Sequence, residues 1–512
     1  HGRPGTVLHG WALGAAAEES FDTAQAHGFH AARALAGALA VAEQAGAVEL
    51  VFLTPGTVEA TGGDLRHPEH GTLTGLGPVI GQEVPNITCR LVDIDVPGCA
   101  AAHGGLAALA AEVVAEACTG ITDQVALRRT DRWVQTFERI RLDEVPRERR
   151  PLADGATVLI TGGLGDVGVL LAEHLASTRG CQLVLTVRTP LPPEEGWPAW
   201  LAEHPHDDRA SRHIRTVQRL REHGVAVLAL AADVGDPEQM AAVVCQARQR
   251  FGRIDAVIHG AGVSDARYFG LAAEMTDAQC QAHFAAKIGG LWVLDEVLGE
   301  TDAPVRMTVS SLSSVLGGLG FAAYSAANSG MDAYARTTAG RWLSVNWEGW
   351  GLRDEEDHPM PATTIKEYWM RPDEGVEIFE RALAVAGRVS QLVVSSGPLL
   401  PRLAQWTGVA EVRESEAVQQ RHPRPPLSTP YEPPAPGHES AIAELWCEVL
   451  GIDRIGANDN FFELGGHSLT AVRLMGRIRV GYGGVPIAAV IEHPTVRELS
   501  KVVAGANAID KE

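Results

Sequence analysis

The chain has 512 residues, 45% of them hydrophobic, and its 43 Lys and Arg against 64 Asp and Glu give a formal net charge of −21. That length calls for two to four domains with packed cores, and the acidic balance argues against binding nucleic acid or an anionic membrane surface. Seven cysteines (Cys89, Cys99, Cys118, Cys181, Cys245, Cys280, Cys447) show neither zinc spacing nor a disulfide framework, so a reducing cytoplasm is the expected compartment and no metal site is expected.

There is no apolar run of about 18 residues and no signal peptide, so no membrane partner is expected. The chain has no initiator Met and opens on a strand-like run, Thr6-Val7-Leu8-His9-Gly10-Trp11, as a piece of something longer would.

Residues 1–146 alternate strand and helix signals. Thr6–Leu13, Val48–Thr54 and Thr88–Val96 are apolar strand candidates. Phe21–Ala45 and Gly105–Ala117 are alanine-rich with apolar spacing of three and four, which predicts helices. Gln124–Phe137 alternates like a strand or hairpin arm. No glycine fingerprint follows the first strand, so a structural role is expected here.

A second α/β unit begins at Thr157. Strand Thr157–Thr161 leads through a glycine loop to helix Val169–Ser177. Strands Gln182–Val187, Val225–Ala231, Ala256–His259 and Met307–Ser311 follow, then helix Ala322–Thr338. This alternation predicts a parallel sheet with helices on both faces. Thr189–Ser211, with Trp197 and Trp200, reads as a surface elaboration. Gly351–Pro372 reads either as a substrate lid or as an ordinary loop.

Residues 421–437 hold seven prolines and read as a semi-rigid extended linker. Beyond it, Glu439–Leu450, Ser468–Val480 and Thr495–Val503 are amphipathic helix candidates of a small helical domain.

In Thr161-Gly162-Gly163-Leu164-Gly165-Asp166-Val167-Gly168, the glycines Gly163, Gly165 and Gly168 fit G-x-G-x-x-G between a strand and a helix. Glycine lets the backbone approach a pyrophosphate, and the helix N-terminus faces it with free N–H groups. Thr161, Gly163, Leu164, Gly165, Asp166, Val167 and Gly168 are therefore candidate dinucleotide contacts. Asp166 is an anion beside the expected phosphates, and a helix cap is its other reading.

The second strand ends at Arg188, where an NAD site usually has an acid. A cation there suits a 2′-phosphate and points to NADPH, the other reading being a solvated arginine. Asp233 and Val234 either touch the adenine or end a strand.

Ser311 ends a strand, Tyr324 follows thirteen residues later, and Asn328 shares a helix face with Tyr324. With the glycine loop, these residues resemble the short-chain dehydrogenase/reductase superfamily, and more closely the ketoreductase domains of modular type I polyketide synthases. In those domains lysine and asparagine exchange positions, which assigns the cation to Lys287 in Ala285-Ala286-Lys287-Ile288-Gly289-Gly290. The turn His259-Gly260-Ala261-Gly262-Val263 resembles the one that flanks the nicotinamide, so His259, Gly260, Ala261 and Gly262 join the cofactor candidates.

The chemistry agrees. Hydride addition to a ketone builds charge on oxygen, which Tyr324 would protonate and Ser311 would hydrogen-bond. Lys287 is expected to lower the phenol's pKa. Asn328 would hold Lys287 or an ordered water. Of the stereochemical markers, Leu-Asp-Asp is replaced by Ser264-Asp265-Ala266, and the Trp of the other class by Leu316.

Asp459-Asn460-Phe461-Phe462-Glu463-Leu464-Gly465-Gly466-His467-Ser468-Leu469 resembles the attachment site of acyl and peptidyl carriers, with Ser468 taking a covalent 4′-phosphopantetheine arm. Its other reading is a helix cap. His467 gives it a peptidyl-carrier look, which suits a hybrid with peptide synthetases.

The resemblance implies two Rossmann-like subdomains and an all-α carrier four-helix bundle. These are an N-terminally truncated, degenerate structural subdomain at 1–146 and a catalytic subdomain at 151–410. A linker at 411–437 and a carrier at 438–506 follow. The implied reaction is NADPH-dependent reduction of a carrier-bound β-ketoacyl thioester. The implied partners are upstream ketosynthase and acyltransferase domains and a phosphopantetheinyl transferase. The alternatives are an α-ketoacyl reductase of a depsipeptide synthetase, and an inactive scaffold presenting a carrier.

Overall fold

The computed structural model describes residues 5–14, 19–41, 47–84, 86–119, 124–142, 151–299, 302–352, 368–406, 421–427, 429–464 and 489–509, with a few positions between 474 and 482. Ser468 and its neighbours His467 and Leu469 lie outside the described residues.

Strands β1 (Thr6–His9), β2 (Val48–Thr54), β3 (Ile87–Ile94), β4 (Val125–Arg128) and β5 (Asp131–Val134) form a five-stranded sheet in that order. The first three junctions are parallel and β4–β5 is an antiparallel hairpin. β2 is buried along nearly its whole length, as a parallel strand covered on both faces must be.

Two expectations need correction. The strand read over Thr6–Leu13 ends at His9, where Gly10 leads into a 3-10 turn, Trp11–Gly14, with Trp11 66% exposed. The helix read over Phe21–Ala45 begins as expected but is broken by a π turn, Ala26–His30, before resuming at Ala31–Val41.

Helix Thr72–Glu83 was not anticipated, and it holds Gly75, Gly77, Pro78 and Gly81, residue types that more often interrupt helices. Packing explains it. A Cβ on Gly75 would lie 2.4 Å from the Ser325 carbonyl oxygen, and one on Gly71 would lie 2.5 Å from Ala333 Cβ. Glycine here lets the helix lie directly on helix Ala322–Thr337.

The second sheet has seven strands: β6 (Thr157–Thr161), β7 (Gln182–Val187), β8 (Val227–Ala231), β9 (Ala256–His259), β10 (Val305–Ser311), β11 (Trp342–Trp347) and β12 (Gln391–Val393). Their order is β12-β11-β10-β9-β6-β7-β8, all parallel. The order reverses between β6 and β9. Ligands of open α/β sheets bind at such a switch point, outside the carboxyl ends of the strands. Every candidate of the catalytic unit except Lys287, Tyr324 and Asn328 lies at, or in the turns just beyond, the carboxyl ends of β6 to β10.

The two units share a core: Phe29, Leu50, Phe52 and Leu76 of the first pack in one cluster with Leu291, Ala326 and Trp342 of the second. The Thr189–Ser211 segment is not only surface, since Trp197 is 5% exposed and packs in the other core of the catalytic unit. Of Gly351–Pro372, residues 353–367 lie outside the described residues, and Trp350 bridges Met370 at its two ends.

The C-terminal part carries helices His438–Leu450 and Val496–Ile509. The helix expected at Ser468–Val480 falls largely outside the described residues. The proline-rich stretch 421–437, expected as a spacer, instead lies along this helical part. Arg424 forks onto the Asp459 carboxylate at 2.7 and 2.6 Å, and Arg497 Nη2 donates to Glu432 Oε1 at 2.7 Å.

Among the described residues no single helix is long and apolar enough to cross a membrane. All seven cysteines are unpaired.

Candidate functional site

The glycine turn is shaped by contacts that leave no room for side chains. Gly162 has φ +65°, and a Cβ there would lie 2.9 Å from the Gly260 carbonyl oxygen. On Gly163 it would lie 2.8 Å from Leu185 Cδ2, and on Gly168 2.5 Å from the Gly162 carbonyl oxygen. Helix Asp166–Arg179 therefore begins close against its own strand, with Gly165 as N-cap and no side-chain cap. Asp166 is the first helical residue, not the cap.

Gly165 and Asp166 are exposed and Val167 half-buried, whereas Leu164 is 5% exposed and packs into the core. This turn can present backbone N–H groups to a phosphate, because the first amides of a helix lack intrahelical acceptors.

Thr161 and His259, read as cofactor contacts, are instead buried beneath the turns. The Ala261 amide donates to Thr161 Oγ1 at 3.3 Å, and Thr161 Oγ1 pairs with His259 Nδ1 at 2.8 Å. His259 Nε2 pairs with the Lys287 carbonyl oxygen at 2.9 Å. That carbonyl accepts only, so Nε2 carries the proton and Nδ1 accepts from the threonine. Burial holds the imidazole well below its usual range, to about 4, so it stays neutral. The chain ties the β6 and β9 ends to the backbone of Lys287.

Val234 is also core, pressed against Gly290, where a Cβ would lie 2.7 Å from Val234 Cγ1. Asp233 is exposed and its Oδ1 accepts from the Gly235 amide at 2.9 Å, as a strand-ending turn does. Arg188 is exposed just past β7, with no carboxylate at ion-pair distance among the described residues.

The four catalytic candidates come together. Ser311 closes β10, and Tyr324 and Asn328 lie one turn apart on helix Ala322–Thr337. Asn328 Nδ2 donates to the Tyr324 carbonyl oxygen at 2.8 Å, while its buried Oδ1 has no hydrogen-bond partner among the described residues. Lys287 sits in a π turn, Ala285–Gly289, a device frequent at functional sites. Its Nζ donates to the Val309 carbonyl oxygen at 3.2 Å and lies 5.4 Å from the centroid of the Tyr324 ring.

The phenol's net shift runs opposite to the expected lowering. Burial pushes the Tyr324 phenol up, and the opposing hydrogen bonds come from Ser311 and Asn328, not Lys287. The ammonium lies over the ring face rather than at the hydroxyl. Lys287 is itself brought down to about 8 by burial, against the pull of Asp332.

Several residues escaped the sequence reading. Phe269, His283 and Phe321 pack round Tyr324 with ring centroids at 5.7, 6.0 and 5.4 Å. Asp332, eight residues after Tyr324, accepts from Ser314 Oγ at 2.8 Å and Asn346 Nδ2 at 2.6 Å, joining the helix to β11. Its place two turns along the Tyr324–Asn328 face was a readable signal.

Gln82 and Glu83 come from the other subdomain. Gln82 Nε2 donates to the Leu316 carbonyl oxygen at 2.6 Å, and its Oε1 accepts from the Gly318 amide at 2.7 Å. Glu83 accepts from the Gly320 amide at 3.0 Å and the Ala272 amide at 2.7 Å. Leu316, named as a stereochemical marker position, is held by this grip, and Asp265 caps a short turn through the Arg267 amide at 3.1 Å.

A parallel sheet with a glycine turn at its switch point, a Tyr–Ser–Asn–Lys cluster at the strand ends and a helical C-terminal part define a dinucleotide-fold reductase unit followed by a carrier unit. Residues 156–352 match the family model described as "KR domain", and residues 440–503 match "Phosphopantetheine attachment site". The chain therefore carries a ketoreductase domain, of a kind that binds NADPH, followed by a phosphopantetheine attachment domain, and the relatives it matches are modular polyketide synthases.

It is 30% identical over 317 residues to polyketide synthase PksM of Bacillus subtilis, covering 58% of this chain and 7% of that protein. It is 29% identical over 460 residues to erythronolide synthase EryA3 of Saccharopolyspora erythraea, covering 85% and 13%. The chain thus spans a small part of the length of these curated relatives. A solved structure of A-type ketoreductases from a modular polyketide synthase superposes with a TM-score of 0.58 at 27% identity, covering 73% of this chain and 74% of that one. A ketoreductase domain from the bacillaene assembly line gives a TM-score of 0.61 at 23% identity, covering 77% and 88%.

Proposed function

We propose that this chain reduces a β-ketoacyl thioester, carried on a phosphopantetheine arm at Ser468, to the β-hydroxyacyl thioester at the expense of NADPH. The observation that carries the reading is the convergence of Ser311, Asn328 and Lys287 on Tyr324. NADPH, when bound, supplies the hydride for the ketone carbon. The fit is supported by the glycine turn, whose Cβ positions are filled by backbone and side-chain atoms, and by Arg188, an exposed cation suited to a 2′-phosphate.

Tyr324 donates its phenolic proton to the ketone oxygen as charge develops there, and Ser311 Oγ donates a hydrogen bond to that oxygen. Asn328 Oδ1 accepts from the Lys287 ammonium or from a water that returns the phenolic proton. Glycine-turn amides at Gly165, Asp166 and Val167 face the phosphates. Thr161, His259, Leu164 and Val234 act from below, by holding the turns. The balance is ketone plus NADPH plus one proton to alcohol plus NADP⁺.

Leu271 and Leu319 of the reductase, beside the Gly270–Phe321 bridge, belong to one buried apolar cluster with carrier residues Ile442, Trp446, Phe461 and Leu464. That continuity supports an arm working on the reductase of its own chain, where tethering supplies a high effective concentration. A transferase loads the arm, and ketosynthase and acyltransferase domains supply the acyl group, in a cytoplasm that keeps the seven cysteines reduced.

The test is the intact mass of the acyl group on Ser468, before and after NADPH, with α- and β-keto thioesters offered separately. A gain of two hydrogens on the β-keto group is expected. Preference for the α-keto group overturns the substrate. No NADPH binding with either substrate overturns the reductase in favour of a scaffold.

A further inference from the structure

The first subdomain has no role in the reaction above beyond holding helix Ala322–Thr337 and the loop before Tyr324. It nevertheless contains a cluster that packing does not explain. Glu19 precedes the N-cap Ser20 of helix Phe21–Gln25, and Glu69 and His70 lie in the 3-10 turn Pro68–Gly71. One ligating atom from each of Glu19, Glu69 and His70 lies within 4.8 Å of the others.

The cluster is buried. The side chain of His70 is 0% exposed and that of Glu19 5%, while Glu69 keeps 16%. Neither ring nitrogen of His70 has a hydrogen bond, and neither does Glu19 Oε2. The Nδ1 edge of His70 faces Gly28, where a Cβ would lie 3.3 Å away, so Nε2 faces the carboxylates, 3.3 Å from Glu19 Oε2.

Two buried or half-buried carboxylates need positive charge nearby. Among the described residues no Arg or Lys supplies it. Only histidines pair with them: His70 Nε2 with Glu19 Oε2 at 3.3 Å within the cluster, and from outside it His27 Nδ1 with Glu19 Oε1 at 3.0 Å and His67 Nδ1 with Glu69 Oε1 at 2.7 Å. The two outer histidines each occupy one oxygen of a carboxylate and leave the other facing into the cluster. Carboxylates that ligate a metal are themselves held by hydrogen bonds from neighbouring groups, as these two are.

We propose that Glu19, Glu69 and His70 bind one divalent cation of the zinc class, with His27 and His67 orienting the two carboxylates. A dication balances both carboxylates. One imidazole with two carboxylate oxygens suits Zn²⁺, whereas Mg²⁺ and Ca²⁺ prefer oxygen alone.

The role of the ion is structural. Gly71 follows His70, and its carbonyl oxygen accepts from Ser329 Oγ at 2.9 Å, on the helix that carries Tyr324. A bound ion fixes the turn that grips this helix. The competing account is a proton on His70 in place of the metal.

The experiment strips the whole chain with a chelator, then measures Zn²⁺ binding by calorimetry, with Mg²⁺ as a parallel arm. Co²⁺ substitution adds a spectrum that separates this site from cysteine. The expected result is one Zn²⁺ per chain, a rise in melting temperature, and Co²⁺ absorption lacking a thiolate charge-transfer band. Glu19→Gln keeps the shape of the side chain, and it and His70→Ala should each weaken binding by at least ~10-fold. No saturable site, a thiolate band, or Zn²⁺ affinity unchanged in a folded Glu19→Gln chain overturns the proposal. If His70→Ala does not fold, Glu19→Gln decides alone.

Discussion

The two sheets of this chain follow the same construction, parallel strands flanked by helices, yet they do different work. In the seven-stranded sheet the first strand ends in a turn so tight that Gly162, Gly163 and Gly168 have backbone or side-chain atoms where a Cβ would stand. In the five-stranded sheet β1 ends at His9 and runs into a short 3-10 turn with an exposed tryptophan. The first geometry lets a phosphate approach a helix N-terminus, and the second does not. The contrast teaches that the chemistry resides in the turn and the strand ends, while the architecture is shared. The five-stranded unit contributes from the side, through Gly71 and Gly75 against the Tyr324 helix and through Gln82 and Glu83 against the loop before it.

The sharpest way to break this division is at the centre of the catalytic unit. Tyr324→Phe removes the proposed proton donor and should lower turnover by ~10²–10⁴-fold. NADPH binding, followed by its fluorescence, should be unchanged because the glycine turn is untouched. Equal loss of binding and turnover would mean that Tyr324 holds the fold instead.

The second test asks whether the five-stranded unit only supports. Glu83→Ala deletes acceptors for the Gly320 and Ala272 amides and leaves both buried donors unpaired, a loss of about 1–3 kcal/mol for each. If the grip positions Tyr324, kcat falls while NADPH affinity holds, and chain melting drops as well. Unchanged kcat would confine the pair to stability. A third variant probes the close approach of helices. In Gly75→Ala the new methyl lies 2.4 Å from the Ser325 carbonyl oxygen, so the helices must part. Overpacking of this kind costs about 1–3 kcal/mol, measurable as a lower urea midpoint.

The legibility of the two units differed for physical reasons. Strands β6, β7 and β9 and the Tyr324 helix were readable almost to the residue, because apolar runs bounded by turn glycines leave little choice of period. Helix Thr72–Glu83 was not, since its glycines serve a tertiary contact and look locally like breakers. Tyr324 and Asn328 were readable because their spacing places them on one face, whereas Lys287 was assigned through the family resemblance. The electrostatics of the tetrad were not readable, because the position of Lys287 over the ring, and not at the hydroxyl, depends on the π turn. Thr161 and His259 have the expected positions but lie buried beneath the turns, a distinction of orientation that spacing does not encode.

The last test uses Lys287 to separate catalysis from stability within the catalytic unit. Its pKa is lowered from 10.5 to about 8 in the fold. If the ammonium helps keep the phenolic proton supplied, kcat/KM falls above pH 8 by up to about tenfold per unit.

Stability should move the other way. Between 8 and 10.5 the unfolded chain holds a proton on Lys287 that the folded chain has released, so the contribution of Lys287 to stability rises with pH across that window. Glu83, raised from 4.5 to about 8 by burial, has the opposite sign, but its contribution changes mainly between those two values. Measurements above pH 8 therefore report chiefly on the lysine. Lys287→Met should flatten the alkaline limb of the rate profile and remove the lysine's rise in stability together. A flattened rate profile with the stability slope intact would assign the stability effect to another group, and the reverse would remove Lys287 from the catalytic cluster.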